Sequence, residues 1–225
     1  MYIIIVGGGA VGTPLIGLAT ESGHEVVVVE DDERTAEAIA GNYDCLVVNA
    51  DARKVGTLED AGIDRADAVI STTDDDATNV MVMMLAAERE VPSRVSVVHD
   101  EDHESLFRRI GANTIENPEH LIAEHLYRAV QRPSVTDVLH LEGEAEVFEI
   151  TVAESSSLVG STLQEADEAG HLDDDLLVVA IERGDEVISP SGRTRIRAGD
   201  LVTVFSKRGF ESDVLDRFAP QLHPL

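Results

Sequence analysis

Short apolar runs recur along the first half of the chain, and between them apolar positions return every third or fourth residue. The runs Tyr2 to Val6, Glu25 to Val29, Cys45 to Val48, Ala68 to Ser71, Arg94 to Val98 and Asn113 to Ile115 predict strands. The intervening stretches Val11 to Ser22, Glu33 to Ala40, Val55 to Ala61, Asp75 to Glu90 and Glu101 to Ile110 predict helices. Most of these strands are apolar throughout rather than alternating, as expected of a parallel sheet covered on both faces. The predicted class is α/β: a Rossmann-like, doubly wound parallel sheet with its ligand beyond the carboxyl ends of the strands. Gly23, Gly41, Gly62 and Gly111 stand just past four of the predicted helices, where helix-ending glycines belong. On the helix from Asp75, Met81, Met83 and Met84 read as soft core, with Val80, Met84 and Ala87 on one face.

Asn117-Pro118 predicts another helix start, with Asn as cap and Pro at the first helical position. This helix is expected to run to about Gln131, where Pro133 follows, and it carries the stripe Leu121, Ile122, His125, Leu126 and Ala129. The sheet is complete by then, so the stripe needs another surface. The same helix of a second subunit is the expected partner, with the chain's own second domain as the alternative. From about Val138 the pattern shifts to alternating strands, Glu146 to Val152, Leu176 to Glu182, Asp185 to Ile188 and Leu201 to Ser206, with a hairpin turn at Arg183-Gly184. A short helix from about Phe210 to Phe218 closes the chain. Two domains follow: residues 1–132, and a smaller, β-rich α+β domain at 138–225.

Composition narrows the setting. With 44 acidic and 17 basic residues the net charge is −27, and Lys54 and Lys207 are the only lysines. The acid is spread along a chain that is 43% hydrophobic, which is a globular pattern rather than an acidic tail. Such self-repulsion is tolerable where salt shortens the Debye length to roughly 3 Å, at about 1 M. A high-salt, halophilic cytoplasm is therefore expected. No basic patch is available for nucleic acid. No apolar run approaches the length of a membrane span, and no basic segment precedes the first strand, so neither membrane insertion nor a signal peptide is expected. Cys45, the single cysteine, reads as a small buried hydrophobe in a cytoplasmic protein.

The candidate chemistry lies in Gly7-Gly8-Gly9-Ala10-Val11-Gly12, a G-x-G-x-x-G string that follows a strand and opens a helix. Gly7 permits the tight turn, Gly9 lets backbone approach a pyrophosphate, and Gly12 lets the helix sit close on the strand. The helix N-terminus faces the phosphate charge. Glu30, ending the second apolar run, is placed to accept from ribose hydroxyls and to repel a 2′-phosphate, which favours NAD over NADP. Other groups read as bland. His99 and His103 have H-x-x-x-H spacing, but His99 falls at a strand end, so a solvated acidic turn is expected rather than a metal site. Asp173-Asp174-Asp175 reads as a solvated loop. No catalytic constellation is placed at the strand ends.

Beyond these single features, ordered segments resemble the RCK or KTN family of TrkA-type potassium transport regulators. They are Ile3 to Gly12, Asn49-Ala50-Asp51-Ala52, Ala61 to Asp76, Leu106 to Ala112 and Pro118-Glu119, then Leu158 to Leu163, Ala180 to Arg183, Pro190-Ser191-Gly192 and Ala198-Gly199-Asp200. The resemblance implies a cytoplasmic, non-catalytic subunit that binds NAD or NADH, with ATP, ADP or AMP as alternatives. It also implies a homodimer built into a larger ring, peripheral to the membrane through a potassium transporter or channel. Gly7, Gly9 and Gly12 carry over as the phosphate loop and Glu30 as the ribose acceptor. Asp51 and Ala52 carry over beside the adenine, and Thr72, Thr73 and Asp74 close the pocket across the switch point. Asp51 and Asp74 each have a helix-cap or turn role as the plain alternative. Two departures stand out. Ala10 occupies a place where some members have an Arg that reaches a terminal phosphate, and Val97-Val98-His99-Asp100 replaces the family's Arg-x-Asn-Asp. The C-terminal domain is implied to sense a second effector, an ion or a cyclic dinucleotide. The rival readings are a small NAD-dependent oxidoreductase and a regulator of a cation/proton antiporter.

Overall fold

A computed structural model describes residues 1–131, 135–141, 143–172, 175–209 and 212–220. The chain divides into two compact units, Met1–Glu124 and His125–Leu225. In the first, strands and helices alternate: β1 (Tyr2–Val6), α1 (Gly12–Glu21), β2 (Glu25–Glu30), α2 (Glu33–Asn42), β3 (Leu46–Asn49), α3 (Val55–Asp60), β4 (Ala68–Ser71), α4 (Asp76–Glu88), β5 (Ser93–Val97), α5 (Glu104–Arg109), β6 (Thr114–Glu116) and the start of α6 (Pro118–Gln131). All strand pairs are parallel, in the order β3-β2-β1-β4-β5-β6. The order in which successive strands are laid down reverses between β1 and β4, the switch point at which such sheets bind ligands. Apolar side chains cover both faces, Ile4, Val6, Val69, Met83 and Phe107 on one and Ile3, Ile5, Ile16, Val28 and Ile39 on the other.

Several expectations need correction. Gly41 lies inside α2, which continues to Asn42 and ends where Tyr43 turns extended. On α4 the core face is Asn79, Val82, Met83 and Ala86, whereas Met81 and Met84 are exposed. That helix is apolar on both faces, so its periodicity does not single one out. Cys45 is only half-buried. In the α6 stripe, Leu121 is 50% exposed, Ile122 59% and Leu126 60%. Asn117 caps that helix as expected, its Oδ1 accepting the His120 N–H at 2.8 Å.

The second unit contains β7 (Val135–His140), β8 (Glu146–Thr151), α7 (Leu163–Glu168), β9 (Leu176–Arg183), β10 (Glu186–Ile188), β11 (Leu201–Ser206) and α8 (Ser212–Phe218). Its sheet is antiparallel, ordered β10-β9-β11-β8-β7, with a core that includes Phe148, Ile150, Ile181, Val204 and Phe218. Strand β7 and helix α7 go beyond the elements read from sequence, and the tight turn is Gly184-Asp185 rather than Arg183-Gly184. The Ala180–Arg183 and Ala198–Asp200 motifs meet in an ion pair. Arg183 Nε and Nη2 donate to the two carboxylate oxygens of Asp200, each at 2.8 Å, and Asp200 is 1% exposed. Asp173 and Asp174 of the acidic run lie outside the described residues, while Asp175 pairs with Lys207 and Arg208.

Candidate functional site

A cleft of about 680 Å³ opens at the carboxyl ends of β1, β2 and β4. It brings together Gly7, Gly9, Ala10, Val11, Glu30, Asp51, Ala52, Thr72, Thr73 and Asp74. Of the residues expected at the site, Gly8 and Gly12 do not line it and instead shape the loop from beneath. Gly7 sits at φ +93°, which only glycine adopts readily. A Cβ on Gly12 would stand 1.9 Å from the Gly7 carbonyl oxygen, and one on Gly8 would stand 2.3 Å from Ile39 Cδ1. A Cβ on Gly9 meets nothing within 4 Å, so the middle glycine faces open space. The Gly9 carbonyl accepts from Thr13 N–H at 3.0 Å, so the loop leads directly into α1.

Glu30 already has two donors. Its Oε2 accepts the Gly8 N–H at 2.6 Å and its Oε1 the Asp32 N–H at 2.9 Å. The carboxylate thereby pins the glycine loop while lining the cleft. Asp51 is a turn residue as well as a lining one. It accepts from Arg53 N–H at 3.0 Å and is gripped by the Arg53 guanidinium at 2.9 Å through two parallel bonds. Arg53, through its side chain first and its backbone second, pulls the Asp51 carboxyl down to about 2. The helix-cap role beside Asp74 falls to Asp75, which accepts the Thr78 N–H at 3.0 Å, while Asp74 is exposed at the cleft edge.

The β4 wall is held by Asn79, which is fully buried. Its Oδ1 accepts from Ser71 Oγ at 2.7 Å, Thr73 Oγ1 at 2.8 Å and Thr73 N–H at 3.2 Å, and its Nδ2 donates to the Thr73 carbonyl at 2.9 Å. Thr72 Oγ1 reaches the Gly7 carbonyl at 2.9 Å, which ties this wall to the glycine loop. Asn79→Ala leaves those groups without their buried partner. We expect a loss of about 1–3 kcal/mol in urea unfolding; a change under about 0.5 kcal/mol would show that the network does not hold the wall.

Sequence reasoning missed Thr35, Arg53, Thr78, His99, Glu119 and Ile122, which also line the cleft. Arg53 was within reach, since a cation two residues after Asp51 reads as a turn partner. The His99 contact was not, because the fold brings it to Thr73 and Glu119 from far along the chain. His99 Nδ1 is 2.9 Å from Glu119 Oε1 and Nε2 is 3.1 Å from the Thr73 carbonyl, while His103 Nδ1 is 2.8 Å from Asp76 Oδ2. The two histidines therefore face separate carboxylates. Among the described residues no cluster of three or more His, Cys, Asp or Glu side chains is arranged to hold a metal, and no helix is long and apolar enough to cross a membrane.

Comparison with known proteins gives consistent matches. The TrkA-N domain matches residues 3–118 and the TrkA-C domain residues 147–218. A Trk system potassium uptake protein TrkA homolog of Methanothermobacter thermautotrophicus is 30% identical over 219 residues, covering 97% of this chain and 99% of the relative. The homolog of Pyrococcus abyssi is 29% identical over 223 residues, covering 95% and 96%. Among solved structures, the GsuK channel bound to NAD superposes with a TM-score of 0.69 at 18% identity, covering 99% of this chain and 40% of that one. At that identity the likeness concerns the fold.

Proposed function

The chain belongs to the TrkA family, and on that premise we propose that it is a non-catalytic regulatory subunit of a potassium uptake system or channel, binding NAD or NADH in the cleft. The observation that carries this is the cleft at the switch point. It gathers the glycine loop, the Glu30 carboxylate, the Asp51-Ala52 turn and the Thr72–Asp74 wall. In this reading residues 1–132 are the nucleotide domain and 138–225 the effector domain. The pyrophosphate lies over Gly9 and the start of α1, where backbone N–H groups and the helix dipole oppose its charge. The adenosine ribose lies at Glu30 and the adenine beside Asp51 and Ala52, the Asp51 carboxylate dividing its acceptors between Arg53 and the ligand. Ala10 offers no charge for a γ-phosphate, which favours the dinucleotide over ATP.

The protein acts in the cytoplasm, peripheral to the membrane through its transporter. It pairs through the exposed Leu121, Ile122 and Leu126 face of α6 and builds a larger ring. Ligand shifts gating only by the difference in its affinity for two arrangements, typically about 1–3 kcal/mol. Calorimetric titration with NADH, NAD, ATP and ADP in molar KCl, with light scattering for subunit number, tests the proposal. Tight NAD or NADH binding by an oligomer without turnover supports it, whereas turnover of the cofactor or a folded oligomer that binds none of them rejects it.

Glu30→Ala removes the ribose acceptor and the anchor of the Gly8 N–H together. We expect NAD affinity to fall about tenfold, as for a lost hydrogen bond to a charged group, and the bias against NADP to relax. A wild-type protein that bound NADP as tightly as NAD would remove this role from Glu30.

A further inference from the structure

His99 sits where the β5 end meets two other elements, and both of its ring nitrogens face oxygens. Nε2 faces the Thr73 carbonyl at 3.1 Å and Nδ1 faces Glu119 Oε1 at 2.9 Å. The Thr73 carbonyl can only accept, and it also takes a bond from Asn79. A neutral imidazole has one N–H and so can serve one of these oxygens; the other would then meet a lone pair. Satisfying both requires an extra proton on the His99–Glu119 pair. The surroundings supply the field for it. Asp74, Asp75 and Asp76 from the β4–α4 connection, Asp100, Glu101 and Asp102 from the loop after His99, and Glu119 from α6 crowd this corner. The cations nearby are engaged elsewhere: His103 is taken up by Asp76, His120 stands at Glu101 and Glu124, and Arg53, which lines the ligand cleft, is gripped by Asp51. The cleft formed by Asp74–Asp76, His99–Asp102 and Asn117 is lined by no Lys or Arg.

We propose that His99 is a proton-dependent positioning residue, whose protonated ring ties the Thr73 wall of the ligand cleft to the first turn of α6 through Glu119. Partial burial works against the charged ring, but the Thr73 carbonyl, the Glu119 carboxylate and the charge of Asp76 outweigh it and hold its pKa above the ordinary 6.5. The tie is therefore complete below that value and is lost as pH rises through the raised one. Its consequence for a ligand rests on the nucleotide reading given above. Thr73, His99, Glu119 and Ile122 share the cleft with the glycine loop, so a ligand filling it is held best when the tie is closed.

The test is an imidazole titration by NMR on the full-length protein in molar KCl, with the His99 signal assigned by its loss in His99→Gln. His99 is expected to titrate above the ordinary value, and Glu119→Gln is expected to bring its midpoint down. In the wild type, the amide signals of His120 and Leu121 are expected to follow the His99 midpoint. A midpoint at or below the ordinary value, one unmoved by Glu119→Gln, or amides that ignore it would overturn the tie. NAD titration is the second arm. Affinity should fall about fivefold or more between about pH 6 and about pH 8.5, and the profile should be flat in His99→Gln. Equal wild-type affinities at both pH values would overturn the link to the ligand. Absence of NAD binding at either pH, with His99 titrating as expected, would remove the nucleotide reading and leave the tie standing.

Discussion

Replacing Gly9 by aspartate abolishes nucleotide binding while leaving the melting temperature nearly unchanged. The expectation follows from the space around the three fingerprint glycines. A Cβ at Gly9 meets no atom within 4 Å, and Gly9 is not among the residues at positive φ, so the fold tolerates a side chain there. What that side chain occupies is the place assigned to the pyrophosphate, and it brings a negative charge of its own. Like charges set against one another cost several kcal/mol, and about 1.4 kcal/mol is a factor of ten. NADH affinity in calorimetry should therefore drop by roughly 100-fold or more. Gly12→Ala is the contrasting case. Its Cβ would collide with the Gly7 carbonyl, a backbone atom, and overpacking of that kind costs on the order of 1–3 kcal/mol of stability. Wild-type binding by Gly9→Asp would mean that the ligand does not cross this loop.

The second large effect is on stability, and it comes from salt. Between about 0.1 M and about 2 M KCl the melting temperature should rise by about 10 °C, which at about 2–4 °C per kcal/mol for a chain of this size corresponds to roughly 2.5–5 kcal/mol of relieved repulsion. At about 0.1 M the Debye length is roughly 10 Å, long enough for carboxylates in neighbouring turns to repel one another. The corner formed by Asp74, Asp75, Asp76, Asp100, Glu101 and Asp102 gathers six of them. With a net charge of −27 the sum over the molecule opposes the compact state. Choline chloride should reproduce much of the gain if screening is the cause. A melting temperature indifferent to both salts would remove the case for a high-salt cytoplasm.

The sheet of the first unit was readable because its first strands are almost continuous apolar runs. Ile3-Ile4-Ile5-Val6 and Val26-Val27-Val28-Val29 admit little else between turn signals. Strand β7 was not, and the reason is local. Its register with β8 shifts between Val135 and Asp137, and that irregularity breaks the two-residue alternation by which a half-buried strand is recognised. Helix α7 is six residues long, too short for a periodic stripe. Its legible mark was the Thr162 and Glu165 capping box, which the structure contains. At the cleft, the glycines and Glu30 announce themselves by spacing. The Asn79 network and the His99 contacts do not, since each depends on residues that only the folded sheet brings together.

The central place of β1 has a consequence for how the protein is made. β1 lies between β2 and β4, and the Gly7 turn at its end is bonded to Thr72 across 65 residues of sequence. A ribosome adding about 5–20 residues per second needs several seconds to deliver that second neighbour. Throughout that interval Tyr2–Val6, buried along its whole length in the finished sheet, has one open edge and no cover from α4. Parallel pairing over such a separation is slow even once the partner exists. Until β4 arrives, that edge is an open template for pairing with another chain.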